Sequence, residues 1–398
     1  MRHLIIKNFG PLKEADVLFK RINLLLGPQS SGKSCILKIA CYCSYLEKRF
    51  ELEQGTSLLK TDEDFMTLLS SFHKLDGYEQ PDTFISYESD FMSFSYDSLK
   101  KTFSFSWKET ARWDYKRAKV SYIPAERNLV AAIPNWLGIK MKDNNILGFM
   151  SDWEQVHKSF TVDSNLPVLD LGVSYFYDEK AKRDVVQVDD NASIELTNAS
   201  SGLQSVIPMV AFIDYHTSKQ FYSSEESSVK TKTENAAILE RIYGRFAEDK
   251  TDESINKCRE LYENYTKTDH CDFFLEEPCA HLFPATQSAL VKWLVERINA
   301  EGRQNNLYIA THSPYIMTSL NNLIEAGNVY ARTPKVKDAL FSIIPENQLV
   351  RFEDVSAYII RDGGVASLMN EEYSLIDADE LDAVSDVISR EYSKILDL

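Results

Sequence analysis

Residues 22–34 read Ile22-Asn23-Leu24-Leu25-Leu26-Gly27-Pro28-Gln29-Ser30-Ser31-Gly32-Lys33-Ser34. From Gly27 onward the stretch fits G-x4-G-K-[ST] at every position. The apolar run before it has the length of a buried strand, and residues 34 to about 52 follow with a helical pattern. A loop between such a strand and such a helix can wrap a phosphate with backbone N–H groups, and Gly27 and Gly32 supply the tight dihedrals and close approach this requires. Lys33 is then placed to neutralise β- and γ-phosphate oxygens of ATP, and Ser34 to offer a hydroxyl to Mg2+. Pro28, Gln29, Ser30, Ser31 and Cys35 complete the candidate nucleotide-binding set.

Three later segments extend the pattern. Asn198-Ala199-Ser200-Ser201-Gly202-Leu203-Gln204-Ser205 stands before an apolar helix. Ser200, Ser201 and Gly202 there are small enough for a helix N-terminus to meet a γ-phosphate face-on, although an ordinary Ser-capped helix start fits the same residues. Phe273-Phe274-Leu275-Glu276-Glu277-Pro278 is an apolar strand ending in two acids. Glu276 is the candidate for holding Mg2+ through water, and Glu277 the candidate for polarising the attacking water. Ile309-Ala310-Thr311-His312-Ser313-Pro314 is a strand end followed by His312, 35 residues after Glu277. One helix, at about 285–300, fills the interval and would cross over to the next parallel strand.

These segments occur in the order an ABC-type ATPase requires, and the chain resembles the SMC/RecF/OLD-like branch of that class. The phrases INLLLGPQSSGKS, YIPAERN, ASSGLQS, LEEPCAHLFP and IATHSPY carry the resemblance over about residues 1–325. The ATPase subunits of anti-phage systems such as Septu, PARIS, Gabija and OLD are similar. The resemblance implies an α/β P-loop ATPase head with a mixed core sheet, an antiparallel β subdomain and a helical lobe on the signature side. It implies two heads closed around two ATP molecules, with Lys33, Glu277 and His312 catalytic, and a separate effector, a nuclease or toxin, as partner. An alternative is a RecF/SMC-like repair ATPase that binds DNA. Glu276 departs from the Asp common at its position, and Cys279 from a common Glu. Arg127, near where a Q-loop glutamine belongs, is a candidate phosphate or neighbour sensor, or a plain salt-bridge partner.

The chain is read as one ATPase domain over 1–398. Residues 2–8 and 16–26 read as strands. Residues 83–123 alternate apolar and polar (FISYE, FMSFSY, TFSFSW, VSYI), which predicts an antiparallel subdomain over about 80–125. Two strands are expected in 172–196, and short ones at 272–275, 307–310, 328–331 and 356–360. The charged stretch 219–260 contains the loop Ser223–Ser228 and a helix with Ile238, Ile242 and Phe246 at i, i+4 and i+8. It is expected to be an insertion that docks a partner. An acidic helix is expected over 377–397, within an acidic segment from about 370 to 398.

Net charge is −16 over 398 residues, so the surface as a whole is ill suited to coating nucleic acid. Residues 100–119 are the exception, with seven Lys/Arg against two acids among Phe103, Phe105, Trp107, Trp113 and Tyr115. They are a candidate nucleic-acid strip or a solvated sheet face. Six cysteines lack disulfide-framework or zinc spacing. Neither a signal-peptide core nor an ~18-residue apolar span is present, so a cytoplasmic chain without membrane partners is expected. Only 73 residues follow Glu325. Asp377-Ala378-Asp379 matches D-x-D but lies on a helical pattern with no strand before it, so a Toprim nuclease is not expected.

Overall fold

The computed structural model describes residues 1–134, 136–189, 192–221, 229–246, 251–300, 303–377 and 389–395. In it the run Ile22–Leu26 is a strand buried along its whole length. Successive strand side chains point to opposite faces, and both faces are covered. Ile22, Leu24 and Leu26 enter one apolar core while Leu25 enters another. Phe273 and Leu275 alternate with Phe274 in the same way, and Leu307 and Ile309 with Tyr308 and Ala310. A parallel sheet covered on both sides leaves no polar face, which is why these strands read as unbroken apolar runs.

The chain begins with β1 (Arg2–Phe9), β2 (Leu12–Phe19) and β3 (Ile22–Leu26), followed by helices α1 (Lys33–Glu53) and α2 (Asp64–His73). Next come β4 (Glu79–Glu88), β5 (Met92–Asp97), β6 (Thr102–Trp107) and β7 (Ala118–Ile123), then α3 (Leu129–Ala132) and α4 (Asn145–Val156). A small meander of β8 (Leu166–Pro167), β9 (Ser174–Asp178), β10 (Arg183–Asp189) and β11 (Ala192–Glu195) leads into α5 (Ser201–Thr217), α6 (Val229–Phe246) and α7 (Asp252–Thr266). The remainder alternates β12 (His270–Glu276), α8 (Pro284–Ile298), β13 (Asn306–Thr311) and α9 (Pro314–Arg332), and continues through α10 (Lys337–Phe341), β14 (Val355–Arg361) and β15 (Gly364–Ser367) to a short antiparallel pair, Met369–Asn370 and Leu375–Ile376.

The core sheet has the order β15-β14-β3-β13-β12-β7. Every neighbouring pair is parallel except β14–β15. A five-stranded antiparallel sheet, β2-β1-β4-β5-β6, lies across α1 from it. The aromatic cluster of Phe50, Phe65, Phe94, Phe103 and Phe105 fills the space between. The other face of the core sheet carries α4, α5, α8 and α9 in a single apolar cluster. The fold is thus mixed α/β with several sheets.

Several sequence expectations change. VSYI belongs to β7, which pairs in parallel with β12 at the edge of the core sheet and lies outside the antiparallel one. An edge strand is covered unevenly, so its residues alternate like those of an amphipathic antiparallel strand. The antiparallel sheet draws its other half from β1 and β2, and so is not confined to residues 80–125. Residues 172–196 supply three strands, since β11 as well as β9 pairs antiparallel with β10. Asn328–Ala331 is helical, at the end of α9. There Gly327 lies so close to Val350 that an added Cβ would come within 2.0 Å of its carbonyl oxygen.

In α6, Ile238 and Ile242 are buried against Leu52, Tyr115, Cys258, Leu261 and Tyr265. They form the core of a helical lobe with α7, so this part of the stripe is not available for docking. The loop Ser223–Ser228, the side chain of Phe246 and the pair Ala378-Asp379 lie outside the described residues. So does most of the acidic C-terminal helix, of which residues 389–395 are helical. Among the described residues no helix is long and apolar enough to cross a membrane.

Candidate functional site

β3 ends against the loop Gly27–Gly32, and α1 begins at Lys33. Gly27 has φ +150°, and a Cβ there would sit 2.2 Å from the Ile360 carbonyl oxygen on β14. Gly32 has φ +109°, and a Cβ there would sit 2.5 Å from the side chain of Leu12 at the start of β2. Gly27 is therefore demanded by dihedral and by space, and Gly32 by its dihedral. The first intrahelical bond of α1 is Ile36 N–H to the Gly32 carbonyl, 3.0 Å. The N–H groups of Lys33, Ser34 and Cys35 thus have no helical acceptor, as at any helix start. Pro28, Gln29 and Ser30 are exposed, and the Ser31 hydroxyl is buried without a hydrogen-bond partner. Such a loop, with unpaired N–H groups and an orphaned hydroxyl, suits a phosphate chain.

The Lys33 ammonium donates to the carbonyls of Gly27 (2.9 Å) and Pro28 (2.8 Å). It also lies 4.0 Å from Glu277 Oε1. Burial lowers its pKa, and the charges of Glu277 and Glu276 work in the opposite direction. Cys35 is buried beneath the loop, and loss of solvent pushes its thiol up to about 12, which leaves its backbone as the group a nucleotide could use.

Neighbouring strand ends supply the acids and the histidine. Glu276 is the last residue of β12, and its Oε2 accepts a 2.6 Å hydrogen bond from the Tyr122 hydroxyl on β7. Glu277 follows with φ +43°, its N–H donating to the Ala310 carbonyl on β13 at 2.8 Å. Its Oε2 lies 2.9 Å from His312 Nδ1 and 3.4 Å from the His312 N–H. The His312 side chain is 53% exposed, so one of its edges meets solvent. The structure therefore brings Lys33, Glu277 and His312 together. A hydroxyl (Ser34) and a carboxylate (Glu276) are oxygen donors of the kind a hard cation such as Mg2+ takes.

Ser200 caps α5, its hydroxyl accepting from the Leu203 N–H at 3.4 Å. Ser200 and Ser201 are exposed. Gly202 packs on the turn after Glu277, where a Cβ would lie 3.0 Å from the His281 carbonyl oxygen. Among the described residues, no hydrogen bond or ion pair joins Ser200, Ser201 or Gly202 to Lys33, Glu277 or His312.

Arg127 is neither a sensor at the surface nor a salt-bridge partner. It is 1% exposed, and its guanidinium donates only to backbone carbonyls and one hydroxyl. Tyr122, which went unnoticed in the sequence, holds Glu276. Cys279 is buried with its sulfur 3.1 Å from the Thr311 hydroxyl. The strip 100–119 presents no free cations: Lys100, Lys101, Lys108, Arg112, Lys116, Arg117 and Lys119 lie within 4.0 Å of Asp97, Glu63, Glu88, Glu51, Asp269, Glu234 and Asp152 respectively. Arg112 also stacks on Trp107, 3.4 Å from the ring centroid.

Neither a family model nor a curated protein matches the chain. Among solved structures it is similar to the Smc head domain with an extended coiled coil, bound to the C-terminal domain of ScpA, from Pyrococcus furiosus. That likeness has 9% identity, 98% of this chain and 100% of that one covered, and a TM-score of 0.38. It is also similar to the recombination mediator protein RecF of the RecFOR pathway in two structures. RecF-ATPrS shows 11% identity with coverage of 92% and 97%, and RecF-ATP shows 12% identity with coverage of 92% and 98%; both have a TM-score of 0.30. At this level of likeness the roles of residues rest on the geometry of this chain.

Proposed function

We propose that the chain is an ATP hydrolase of the ABC type, working as two heads closed on two ATP molecules. The observation that carries the reading is the meeting of Lys33, Glu277 and His312 behind a complete phosphate loop. Lys33 exchanges the carbonyls of Gly27 and Pro28 for phosphate oxygens. Glu277, held by His312 and by its own backbone, takes a proton from a water whose oxygen attacks the γ-phosphorus. The bond to the β-phosphate oxygen breaks, and ADP leaves with the electron pair. Mg2+, held by Ser34 and Glu276, would offset charge on the β- and γ-phosphate oxygens. Ser200–Gly202, exposed on a helix N-terminus, would meet the nucleotide of the second head.

The same proposal gives ATP turnover a regulatory purpose, the control of a separate nuclease or toxin, in an anti-phage complex in the cytoplasm. This part rests on the sequence resemblance. The alternative is a DNA-binding repair ATPase, for which residues 100–119 are the candidate strip, each of their cations lying within 4.0 Å of a carboxylate. Tight, salt-sensitive DNA binding by the isolated chain would favour the alternative.

Two variants test the chemistry. Lys33→Ala abolishes ATP binding measured by calorimetry. Glu277→Gln keeps binding but slows phosphate release by roughly 10²–10⁴-fold, since the amide cannot accept the proton. Wild-type turnover in Glu277→Gln removes Glu277 from the role of base, and unchanged affinity in Lys33→Ala removes the phosphate-loop assignment.

A further inference from the structure

We infer that Arg127 is the positioning residue that couples the two ATP sites of a closed pair, by fastening the signature helix to the turn that carries Glu277. The inference rests on the ATPase reading above and assigns its internal communication to one side chain.

Arg127 follows β7 and is 1% exposed. Its Nε donates to the Ser205 carbonyl on α5 at 3.0 Å. Its Nη1 donates to the carbonyls of Pro124 (3.2 Å) and Glu276 (2.9 Å). Its Nη2 donates to the Ser205 hydroxyl (3.0 Å) and to the carbonyls of Glu277 (3.0 Å) and Pro278 (3.2 Å). Three segments distant in sequence thus close on one guanidinium. None of the acceptors is a carboxylate, so the charge is buried without an ion pair. Burial lowers its pKa to about 10, with Cys279, Glu276 and Glu277 acting the other way. A buried charge without an ion pair is expensive, and an apolar residue would fill the space more cheaply. Only the arginine fork supplies five N–H donors in one plane.

A second contact joins the same two parts. Gly202, at the start of α5, packs so close that a Cβ there would lie 3.0 Å from the His281 carbonyl oxygen, a tight contact. Ser205 lies one helical turn beyond Ser201. The first two turns of α5 and the stretch 276–281 are therefore tied at both ends and move as one body. In a closed pair, Ser200–Gly202 of one head meets the partner's nucleotide while Glu277 serves its own. Filling one site then sets the backbone that aims the carboxylate of the other. Turnover becomes cooperative in ATP, and Arg127 carries the coupling.

The test uses the full chain with Arg127→Lys, which keeps the charge but has at most three donors, and Ser205→Ala, which removes only the hydroxyl. ATP affinity is measured by calorimetry, folding by circular dichroism, and phosphate release against ATP concentration. Wild-type turnover is expected to be sigmoidal. Ser205→Ala is expected to bind ATP within about twofold of wild type, with a weaker sigmoid. Arg127→Lys is expected to be hyperbolic, with kcat reduced roughly tenfold or more through misplacement of Glu277. Hyperbolic turnover in the wild type overturns the coupling, as does a folded Arg127→Lys that keeps both the sigmoid and kcat. If Arg127→Lys does not fold, an unaltered sigmoid in Ser205→Ala overturns it. Failure of the wild type to bind or hydrolyse ATP would sink the ATPase reading instead.

Discussion

Glu51→Gln should make the protein more stable at alkaline pH and leave it unchanged in acid. Glu51 lies near the end of α1, the helix that begins at the phosphate loop, and is fully buried. Its Oε2 accepts from the Tyr265 hydroxyl at 2.7 Å and from Gln54 Nε2 at 3.3 Å, with Arg112 at 3.9 Å. Its Oε1 is buried without a partner. Burial pushes the carboxyl from 4.5 up to about 7, helped by Glu47 and opposed by Tyr265, Arg112 and Gln54. Because the folded state holds this proton more tightly than the unfolded state, the stability it contributes is complete below 4.5 and is lost as pH rises through 7. At about 1.4 kcal/mol per pH unit, the displacement amounts to about 3 kcal/mol. Glutamine keeps an oxygen for the Tyr265 hydroxyl and carries no charge. Urea unfolding of both proteins at pH 4.5 and pH 8 gives the comparison, in which groups common to both cancel. The Gln variant should gain about 3 kcal/mol over wild type between those two pH values. A difference independent of pH, or a loss at pH 8, would refute the view that burial of the Glu51 carboxylate outweighs its partners in this core.

Tyr122→Phe removes the hydroxyl that holds Glu276 while keeping the ring against His73. The Mg2+ concentration giving half-maximal turnover should rise roughly tenfold or more, and an unchanged Mg2+ titration would rule out this support. Ile242→Ala opens a void among Leu52, Tyr115 and Leu261 and should cost about 2–5 kcal/mol in urea unfolding; a loss below 1 kcal/mol would return the residue to the surface. Gly27→Ala places a methyl 2.2 Å from the Ile360 carbonyl oxygen. It should abolish ATP binding with the circular dichroism spectrum preserved, and retained affinity would show that the loop can shift.

The loop between β3 and α1 was legible because a G-x4-G-K-[ST] pattern constrains both residue types and spacing. Gly27 and Gly32 are fixed by backbone dihedrals, and the apolar run before them by burial on two faces. The acids at the end of β12 and the histidine after β13 were legible for a similar reason, since each ends an apolar strand. Pairing was harder to read. Nothing local in residues 118–123 distinguishes the edge of a parallel sheet from an antiparallel strand, and the partner that decides, His270–Leu275, is about 150 residues away. Likewise Ile238 and Ile242 form an apolar stripe whether it faces a partner or α7, and only the packing of the lobe chooses. Arg127 was beyond reach for another reason. Five of its six hydrogen bonds end on backbone carbonyls, a group that every residue carries and no sequence advertises.

The arrangement of the core explains why the three central groups meet. β12, β13 and β3 are adjacent and parallel, so their C-terminal ends lie side by side. Glu277, His312 and Lys33 each follow one of these ends closely, and the Glu277 backbone is bonded across to Ala310. Their spacing is set by sheet register, which is among the least deformable features of a fold. What remains adjustable is the Lys33 ammonium. Two loop carbonyls at 2.8–2.9 Å hold it, with Glu277 farther away at 4.0 Å. A phosphate that displaces those neutral carbonyls replaces contacts to a dipole with contacts to a full negative charge. Glu277 is then left paired chiefly with His312, whose exposed edge opens the carboxylate to water. On this geometry, a phosphate chain that drew Lys33 away would also loosen the 4.0 Å pair between Lys33 and Glu277.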